Sequence, residues 1–427
     1  MKLLPNGGSE GNWAAPTAAG FSGQVALPGS KSLTARHLVL AALATAPTEL
    51  VGALAARDTD LLATALAKMG ATVTKSEDAW RVAPGPLRGG ATIDCGLAGT
   101  VMRFLLPLAA LAPGTTTFVG DEAATARPLG GLIEALRTLG ASITCHGPDG
   151  FLPLNVTGGI PLEGEVHVDS AASSQFLSAL LLASAASKSL RIYVKGEPPS
   201  QPHIDMTIAT LRAVGCGVTQ TAPAVFDCGG RRPRGGKVQV EPDLSNAGTF
   251  LAAAIAGKGQ VRIPNWPSHT TQVGAKWPEI LEKMGAKCQL RGTTLHCTGG
   301  SGIRPLHRNM RDEGELVPTV VALAALAGDE SVLTGISHLR GHETDRLAAL
   351  ATEITRLGGD VTELEDGLVI RPRKLHAALV QTYADHRMAT FGAIIGLAVP
   401  GVVVQNVATT DKTMPNFVQM WKNLVDG

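Results

Sequence analysis

The stretch LPGSKSLTARHLVLAALA, residues 27–44, places a Gly-Ser-Lys-Ser segment directly in front of an almost wholly apolar run. The run from Leu38 to Ala44 predicts a buried helix, and the residues from Pro28 to Ser30 predict the turn before it. Lys31 and Arg36 flank the first turn of this helix, where the helix dipole already contributes partial positive charge. Two cations at a positive helix end indicate an anion site, although a capped helix with basic surface residues is the more common arrangement.

The same pattern, with small and polar residues before an Ala- and Leu-rich run, occurs five more times at intervals of about seventy residues. The five segments begin at Gly96, Ser170, Asp243, Glu313 and Tyr383 and read GLAGTVMRFLLPLAALA, SAASSQFLSALLLASA, DLSNAGTFLAAAIA, EGELVPTVVALAALA and YADHRMATFGAIIGLA. Helices that are apolar on nearly all sides are buried. The series therefore predicts six buried helices.

A second series recurs in step with the first. The segments LAKMGATVT, LRTLGASIT, LRAVGCGVT, LEKMGAKCQ and ITRLGGDVT begin at residues 66, 136, 211, 281 and 354. Each predicts the end of an amphipathic helix, a glycine in the left-handed C-terminal position and then a strand. MWKNLVDG, at the C-terminus, lies where a degenerate sixth copy is expected. Two series in step predict six units of one α/β architecture.

Composition excludes several classes of protein. The chain has 427 residues, too many for one ordinary core, and a formal net charge of +1, which disfavours a general polyanion binder. No apolar run reaches the ~20 residues of a membrane span, and the N-terminus shows no export signal. The six cysteines form no C-x-x-C pair and are expected to be reduced structural thiols. These features predict a cytoplasmic protein with an anion site that is a local cluster of residues.

Polar residues at the starts of the buried helices are the first candidates for that cluster. If three buried helices run parallel in each domain, their N-termini converge and present free N–H groups to a small polyanion. Simple helix capping is the alternative for any single segment. The candidates at these helix starts are Lys31, Ser32, Thr100, Arg103, Ser173, Ser174, Gln175, Asp385 and Arg387.

Three further motifs carry charge. Arg127 precedes Pro128, which favours a helix start, and an arginine suits bidentate binding of phosphate or carboxylate. In GHETDRL, Glu343 and Arg346 are three residues apart and offer an acid or base beside a cation, whereas capping explains the same segment structurally. Lys412 follows in DKTMPNF, where an exposed lysine is the ordinary expectation.

YADHRM, residues 383–388, places three ionisable residues directly before a buried helix. Burial of Asp385, His386 and Arg387 together is costly, so at least one of them is expected to face a polar site. His386 has no second His or Cys at ligand spacing, so the segment does not predict a metal site.

The motifs LPGSKS, GLAGTVMR, TARP, SSQF, HETDRL and YADHRM resemble, in this order and spacing, those of the 5-enolpyruvylshikimate-3-phosphate (EPSP) synthase family. The resemblance extends from about Val25 to Asn416. It implies an α/β fold, a two-domain inside-out α/β barrel of six βαβαββ-type units, three in each domain. The expected domains are residues 27–240, on the shikimate 3-phosphate side, and residues 1–26 plus 241–427, on the phosphoenolpyruvate side, with the active site in the cleft.

The activity that this resemblance implies is that of a 3-phosphoshikimate 1-carboxyvinyltransferase. The enolpyruvyl group of phosphoenolpyruvate is transferred to the 5-hydroxyl of shikimate 3-phosphate, in the shikimate pathway to chorismate and aromatic amino acids. The implied partners are these two small molecules, with no cofactor, metal, nucleic acid or membrane. A cleft within one chain needs no second subunit, so a monomer is expected.

Site residues follow from the resemblance position by position. The expected shikimate 3-phosphate ligands are Lys31, Ser32, Arg36, Ser173, Ser174, Gln175, Ser200, Glu315 and His342. The expected phosphoenolpyruvate ligands are Lys31, Gly99, Thr100, Arg127, Gln175, Arg346, Arg387 and Lys412. The expected catalytic residues are Lys31, Glu315, His342, Glu343, Asp385 and Lys412, of which Glu343 matches the carboxylate that moves a proton at the methylene carbon.

The chain departs from the common family pattern at four positions. Leu97 replaces an Asn, His203 replaces a Tyr and His342 replaces a Lys, which turns a fixed cation into a titratable group. Thr319 replaces the Asp expected after the proline of the fifth unit. Glu315, one helical turn earlier in GELVPT, is the candidate for the base that acts on the 5-hydroxyl.

Two alternatives remain open. UDP-N-acetylglucosamine enolpyruvyl transferase shares the fold and the donor, but it carries a reactive Cys shortly before an Arg-Pro, and the segment Gly120–Pro128 contains no Cys. The other alternative is a non-catalytic protein that binds shikimate phosphate. Such a protein could have lost turnover through the substitutions at Leu97, Thr319 and His342. The retained Lys31 and Glu343 favour the enzyme.

Overall fold

The structure is a computed structural model that describes residues 11–426. Residues 1–10, in which the export signal was sought, and Gly427, the last residue of the degenerate sixth copy, lie outside the described residues. The described chain divides into two compact units. The first consists of Pro28–Pro242 with Thr271–Val273, and the second of the described residues up to Leu27, Asp243–Thr270 and the residues from Gly274 onward.

Buried and amphipathic helices alternate along the described chain. The twelve α-helices are α1 Lys31–Ala42, α2 Arg57–Lys68, α3 Gly99–Leu111, α4 Gly130–Thr138, α5 Ser174–Ala183, α6 Gln201–Ala213, α7 Leu244–Ala256, α8 Trp277–Lys283, α9 Val317–Ala325, α10 Arg346–Arg356, α11 His386–Ala398 and α12 Phe417–Asp426. The six odd-numbered helices are the predicted buried ones, and α3, α7 and α11 are buried along almost their whole length. In the first unit α5 packs against α1 and α3, and in the second α7, α9 and α11 pack against one another.

Strands of two to six residues separate the helices. They are β1 Trp13–Ala14, β2 Ser22–Gln24, β3 Thr48–Val51, β4 Thr72–Lys75, β5 Ala79–Ala83, β6 Thr92–Asp94, β7 Gly114–Val119, β8 Ser142–Cys145, β9 Leu154–Gly158, β10 Gly164–Asp169, β11 Leu190–Lys195 and β12 Val218–Ala222. The remaining strands are β13 Val225–Cys228, β14 Gly236–Gln239, β15 Gln260–Ile263, β16 Lys287–Arg291, β17 Thr294–Thr298, β18 His307–Asn309, β19 Ser331–Thr334, β20 Asp360–Leu364, β21 Gly367–Arg371, β22 Leu379–Val380 and β23 Val403–Val404.

One strand order recurs in the four-stranded sheets. The first unit contains β14-β3-β5-β4, β6-β7-β9-β8 and β10-β11-β13-β12, and the second contains β2-β15-β17-β16, β18-β19-β21-β20 and the three-stranded β1-β23-β22. In each four-stranded sheet the first pair of strands is parallel and the other pairs are antiparallel, as for β6–β7, β7–β9 and β8–β9. The chain is thus a mixed α/β protein with several small sheets.

Two sheets do not follow the contiguous seventy-residue units that the sequence suggests. Gly236–Gln239 (β14) pairs with Thr48–Val51, so the last strand of the first unit completes its first sheet. Ser22–Gln24 (β2) likewise pairs with Gln260–Ile263. The periodicity did not reveal this exchange because a short edge strand carries little sequence signal.

The helix, glycine and strand series is confirmed at all five positions. Helices α2, α4, α6, α8 and α10 each end two residues before a glycine, and a strand begins shortly after that glycine. The five glycines are Gly70, Gly140, Gly215, Gly285 and Gly358. All five glycines have positive φ, between 84° and 118°. A residue with a Cβ disfavours this conformation, so the glycine ends each helix and turns the chain into the strand.

Two predicted helix boundaries differ from the structure. The first buried helix ends at Ala42 instead of Ala44, because the backbone N–H groups of Leu43 and Ala44 already close the last turn. Pro128 does not start α4, which begins two residues later at Gly130.

Candidate active site

The start of α1 holds three of the predicted ligands. Ser30 caps the helix, because its hydroxyl accepts from the backbone N–H of Leu33 at 3.4 Å. Lys31 Nζ lies 3.3 Å from Asp58 Oδ2, which fixes the ammonium beside the first turn of α2. Ser32 is half-buried in the first turn and contributes its carbonyl oxygen to Arg36.

Arg36 is almost completely buried, with 2% of its surface exposed. Its guanidinium donates to Thr207 Oγ1 at 2.8 Å, to Ser32 O at 2.9 Å and to His203 O at 2.9 Å. These oxygens belong to α1 and α6, so Arg36 joins the two helices. At the position where many relatives have Tyr, His203 supplies its backbone carbonyl, which any residue provides.

The arginine cluster consists of Gly99, Arg103, Arg127 and Gln175. Arg103 Nη1 donates to Gln175 Oε1 at 2.9 Å, and Arg127 Nη1 donates to the carbonyl of Leu97 at 2.9 Å. A Cβ at Gly99 would lie 2.8 Å from Arg103 Nη1, 3.0 Å from Arg127 Nη2 and 3.1 Å from Gln175 Oε1. Gly99 thus lets three polar side chains approach the N-terminus of α3, where the backbone N–H groups favour an anion.

Leu97 contacts Arg127 through its backbone. The contact to Arg127 is made by the backbone oxygen of residue 97, which survives replacement of the side chain. Among the described residues, no acceptor reaches the buried Nε of Arg127. This arginine therefore keeps a donor for a substrate oxygen. Thr100, the second residue of α3, is buried beside it.

The serines of the S-S-Q segment start α5. Ser173 caps this helix, because its hydroxyl accepts from the N–H of Gln175 at 3.2 Å. Ser174 is buried in the first turn. Ser200 precedes α6 with φ of 58°, a left-handed conformation that is uncommon for serine. Such strain is concentrated at functional sites.

The carboxylate cluster of the second unit consists of Glu315, Glu343, Arg346, Asp385, Arg387 and Lys412. At its centre Arg346 donates from Nε to Asp385 Oδ2 at 2.7 Å and from Nη2 to Glu343 Oε2 at 2.9 Å. Lys412 Nζ lies 2.7 Å from the other oxygen of Glu343. Burial opposes the charge of Arg346, but Asp385 and Glu343 outweigh it and raise the pKa of Arg346 above its ordinary value. The ion pairs of Arg346 and Lys412 in this cluster are therefore buried.

All three ionisable residues of YADHRM are buried, and Asp385 and Arg387 contact polar and charged groups of the carboxylate cluster. Asp385 is 0% exposed and caps α11 by accepting from the N–H of Arg387 at 2.8 Å. Arg387 Nη1 donates to Ser245 O at 3.0 Å, and its Nη2 lies 3.9 Å from Glu315 Oε2. The protein's own charges replace water around these groups, which offsets the cost of burial.

Lys412 also departs from its ordinary expectation. It ends a short 3₁₀ helix, Val407–Lys412, and only 8% of its surface is exposed. In the HETDR motif, capping explains Asp345, whose carboxylate accepts from Ala348 N at 3.1 Å. Glu343 precedes α10 and reaches Arg346 from the turn, so the contact does not depend on a shared helical face.

Glu315 and Thr319 differ sharply in surroundings. Glu315 is half-buried and accepts from the Ser245 hydroxyl at 2.8 Å. Thr319 lies inside α9 with 1% exposure, and among the described residues its hydroxyl has no hydrogen-bond partner. A carboxylate oriented by a hydroxyl and open to solvent can accept a proton, which a buried threonine cannot.

His342 contacts Arg346 directly. Its Nδ1 lies 3.1 Å from Arg346 Nη1. An arginine only donates, so Nδ1 is the acceptor in this contact. The histidine that stands at the position of the family's lysine thus lies against Arg346 and, at 4.0 Å, near Glu343 Oε2.

Three comparisons with known proteins bear on this geometry. The family model of EPSP synthase (3-phosphoshikimate 1-carboxyvinyltransferase) matches residues 17–421. The chain belongs to the EPSP synthase family. It is 49% identical, over 97% of its length and 96% of the relative, to the 3-phosphoshikimate 1-carboxyvinyltransferase of Kocuria rhizophila.

Solved structures share the fold of this family member. An EPSP synthase from Acinetobacter baumannii is 25% identical, with a TM-score of 0.80 over 97% of this chain and 98% of the other. The enolpyruvyl transferase NikO from Streptomyces tendae is 18% identical, with a TM-score of 0.76 over 96% of each chain, and shows the likeness of fold alone. The comparisons extend over nearly the whole chain.

Residues 11–426 of this family member contain neither a cluster of metal ligands nor a helix that could span a membrane. Within residues 11–426, no three His, Cys, Asp or Glu side chains come together as a metal site would require. The described helices include none with the length and apolarity needed to cross a membrane.

Sequence reasoning missed two residues that hold the predicted ones. Ser245 binds both Glu315 and Arg387, through its hydroxyl and its carbonyl. Asp58 pairs with Lys31. Ser245 lies at the start of the fourth buried helix, where the recurring pattern offered a signal. The sequence around Asp58 gave no signal of a role at the site, because an acidic residue in the first turn of a helix is common.

Proposed function

We propose that the chain transfers the enolpyruvyl group of phosphoenolpyruvate to the 5-hydroxyl of shikimate 3-phosphate and releases phosphate. The product is 5-enolpyruvylshikimate 3-phosphate, in the shikimate pathway that leads to aromatic amino acids. Membership of the EPSP synthase family supports this reaction. The observation that carries it within the chain is Glu343, held between Arg346 and Lys412.

The reaction proceeds by addition and elimination. C3 of phosphoenolpyruvate takes a proton, the 5-hydroxyl attacks C2 and a tetrahedral ketal phosphate forms. C3 then loses a proton and phosphate leaves as its C–O bond breaks. Glu343 is the group proposed to move the proton at C3, with Lys412 beside it. Lys31 is proposed as a further charge-stabilising group. Glu315, oriented by Ser245, is proposed to accept the proton of the 5-hydroxyl.

Phosphoenolpyruvate carries a phosphate and a carboxylate, both of which suit arginine. Arg127, Arg346 and Arg387 are its proposed ligands, because a guanidinium binds either group in a bidentate manner. The N-terminus of α3 at Gly99 and Thr100 contributes N–H groups, and Gln175 adds an amide. Arg346 is held in place by Asp385, so we assign Asp385 to positioning, in contact with the arginine.

Shikimate 3-phosphate is proposed to bind the other polar groups of the helix starts. Its ligands are Lys31, Ser32, Arg36, Ser173, Ser174, Gln175, Ser200, Glu315 and His342. Ser173 and Ser200 suit its phosphate, because hydroxyls and helix N-termini both donate to phosphate oxygens. Arg36 contributes from a buried position that already joins α1 to α6.

The finer architecture belongs to the same proposal. Six βαβαββ-type units, three in each domain, form an inside-out α/β barrel in which the buried helices lie inside the sheets. The recurring strand order supports this arrangement. We further propose that the protein is a cytoplasmic monomer that needs neither metal nor cofactor.

The test is phosphate release from phosphoenolpyruvate with two acceptors in parallel, shikimate 3-phosphate and UDP-N-acetylglucosamine. Release with shikimate 3-phosphate alone is expected. Release with the nucleotide sugar alone would assign the chain to the other enolpyruvyl transfer. No release with either acceptor, together with tight binding of shikimate 3-phosphate, would make the chain a non-catalytic binding protein. Glu343→Gln, assayed alongside, is the control for a contaminating activity.

A further inference from the structure

The turn directly before α11 has an unusual backbone. Asp385 N donates to Thr382 O at 2.8 Å, which closes a four-residue turn. Its two central residues, Tyr383 and Ala384, have φ of 52° and 55°. Two successive positive φ angles are typical of a type I′ turn, for which Asn-Gly is the ordinary choice because residues with a Cβ resist this conformation. This turn therefore needs support from outside.

Glu353 provides that support. Its carboxylate is 0% exposed and accepts from Gln381 N at 3.0 Å and from the Tyr383 hydroxyl at 2.7 Å. The third donor is Arg356, whose Nε lies 3.1 Å away on the exposed side. A buried carboxylate is stable only when its oxygens are bonded, so the position of the turn and the state of Glu353 depend on each other.

The same helix holds the residue that follows the turn. Arg346 and Glu353 both belong to α10 and lie seven residues apart, about two helical turns. Arg346 binds Asp385, and Glu353 binds the residues on the other side of the turn. The chain from Gln381 to Asp385 is thus fixed to α10 at two points. Strained conformations persist where the surroundings over-determine them in this way.

We propose that Glu353 is a positioning residue, which holds the Thr382–Asp385 turn in its left-handed conformation and thereby places Arg387 and Asp385 for phosphoenolpyruvate. This inference rests on the function proposed above. Glu353 touches neither Arg387 nor Asp385, so its effect on the reaction passes through the turn. The strain of the turn is what makes the carboxylate necessary.

The test replaces Glu353 with Gln, which cannot accept from both donors. The KM for phosphoenolpyruvate is expected to rise about 10- to 100-fold, the effect of losing bonds to a buried charge. The KM for shikimate 3-phosphate should stay within about twofold, since its proposed phosphate ligands lie in the other unit. Tyr383→Phe, which loses one of the two bonds and leaves the fold intact, is expected to give a smaller rise in the same constant.

Two further variants separate positioning from general stability. Thr355→Ala changes an exposed residue of α10 whose hydroxyl bonds to Ala351 O within the same helix, so its kinetics should match the wild type. Glu353→Gln combined with Ala384→Gly should recover much of the affinity for phosphoenolpyruvate, because glycine adopts positive φ without strain. A purely structural role predicts instead a lower kcat at unchanged KM values and no recovery. That outcome, or an unchanged KM in both Glu353→Gln and Tyr383→Phe, overturns the proposal.

A readout independent of turnover distinguishes this proposal from the function itself. Amide hydrogen exchange of residues 381–387 should be faster in Glu353→Gln than in the wild type, and unchanged in Thr355→Ala. If the wild type released no phosphate with shikimate 3-phosphate, the proposed function would fail. Unchanged exchange in Glu353→Gln would contradict the positioning role in either case.

Discussion

Two arginines of the first unit and two cations of the second are held in different ways, whereas Lys31 of the first unit pairs with the Asp58 carboxylate. In the first unit, Arg36 and Arg127 donate to carbonyl and hydroxyl oxygens, which carry no net charge. In the second, Arg346 and Lys412 donate to the carboxylates of Glu343 and Asp385. Cations held by neutral oxygens keep their charge for an incoming anion. Cations paired with carboxylates create a setting in which a proton can be moved. We therefore propose Glu343 for proton transfer in the second unit, where Arg346 and Arg387 are also proposed to bind phosphoenolpyruvate.

The strongest test of this comparison is Glu343→Gln. Loss of the carboxylate between Arg346 and Lys412 should lower kcat about 10²- to 10⁴-fold, the usual contribution of a general acid or base. Phosphate release at saturating concentrations of both substrates measures it. Glu365→Gln, an exposed carboxylate of the same unit, is the matched control and should be silent. A kcat within a few-fold of the wild type would exclude Glu343 as the group that moves the proton at C3.

Glu315→Gln sharpens the assignment of the second proton. We expect kcat to fall at least ~100-fold, because the amide cannot accept the proton of the 5-hydroxyl. The amide still accepts from the Ser245 hydroxyl, so the KM for shikimate 3-phosphate should change little. Steady-state phosphate release with varied shikimate 3-phosphate is the measurement. Near-normal turnover would exclude Glu315 as the base.

Gly99→Ala tests binding in the first unit. The new methyl group would lie within 3.0 Å of Arg103 Nη1 and Arg127 Nη2, so the guanidinium groups must move. The KM for phosphoenolpyruvate should rise by about tenfold, the cost of roughly one lost bond to a charged group. Gly147→Ala, where a Cβ meets nothing within 4 Å, is the control. If both variants behave alike, the approach of the arginines to residue 99 has no role in binding.

Thr319→Val is expected to have the smallest effect. Its buried hydroxyl has no partner among the described residues, so a methyl group of similar size should leave the free energy of unfolding unchanged within about 1 kcal/mol, or raise it. Denaturant unfolding and kcat together measure it. Thr59→Val is the contrast, because the Thr59 hydroxyl bonds to Leu54 O and Ala56 O and its loss should cost about 1 to 3 kcal/mol. A large fall in kcat for Thr319→Val would return a catalytic role to that position.

The sequence predicted most of the fold because its signals are local. Gly70, Gly140 and Gly285 end helices through their own backbone conformation. A glycine after an amphipathic pattern predicts such a helix end without knowledge of distant residues. Partners distant in the sequence were not accessible. The pairing of Gly236–Gln239 with Thr48–Val51 depends on how the whole unit folds, and the sequence of a four-residue strand does not indicate which strand it pairs with.

The sequence named candidate site residues, but the contacts among them could not be predicted from it. Asp385 and Lys412 were expected at the site, but their burial follows from Arg346 and Glu343, which lie tens of residues away. An isolated lysine in a turn is ordinarily exposed, so the sequence favoured an exposed Lys412. That expectation was wrong because Lys412 pairs with the buried Glu343. Glu353 gave no signal at all, because a glutamate inside an amphipathic helix is common and its partners come from a separate loop.

The pairing of β1 with β23 has a consequence for synthesis of the protein. Trp13 pairs with Val404 and Ala14 with Val403, so a strand that leaves the ribosome among the first is completed by one of the last. At about 5 to 20 residues per second, the nascent chain waits roughly 20 to 80 seconds between the two. Throughout that time the N-terminal segment has no partner in its sheet. Synthesis of the second unit therefore begins before that of the first unit, and its β1–β23 pairing forms only after the first unit has been synthesised.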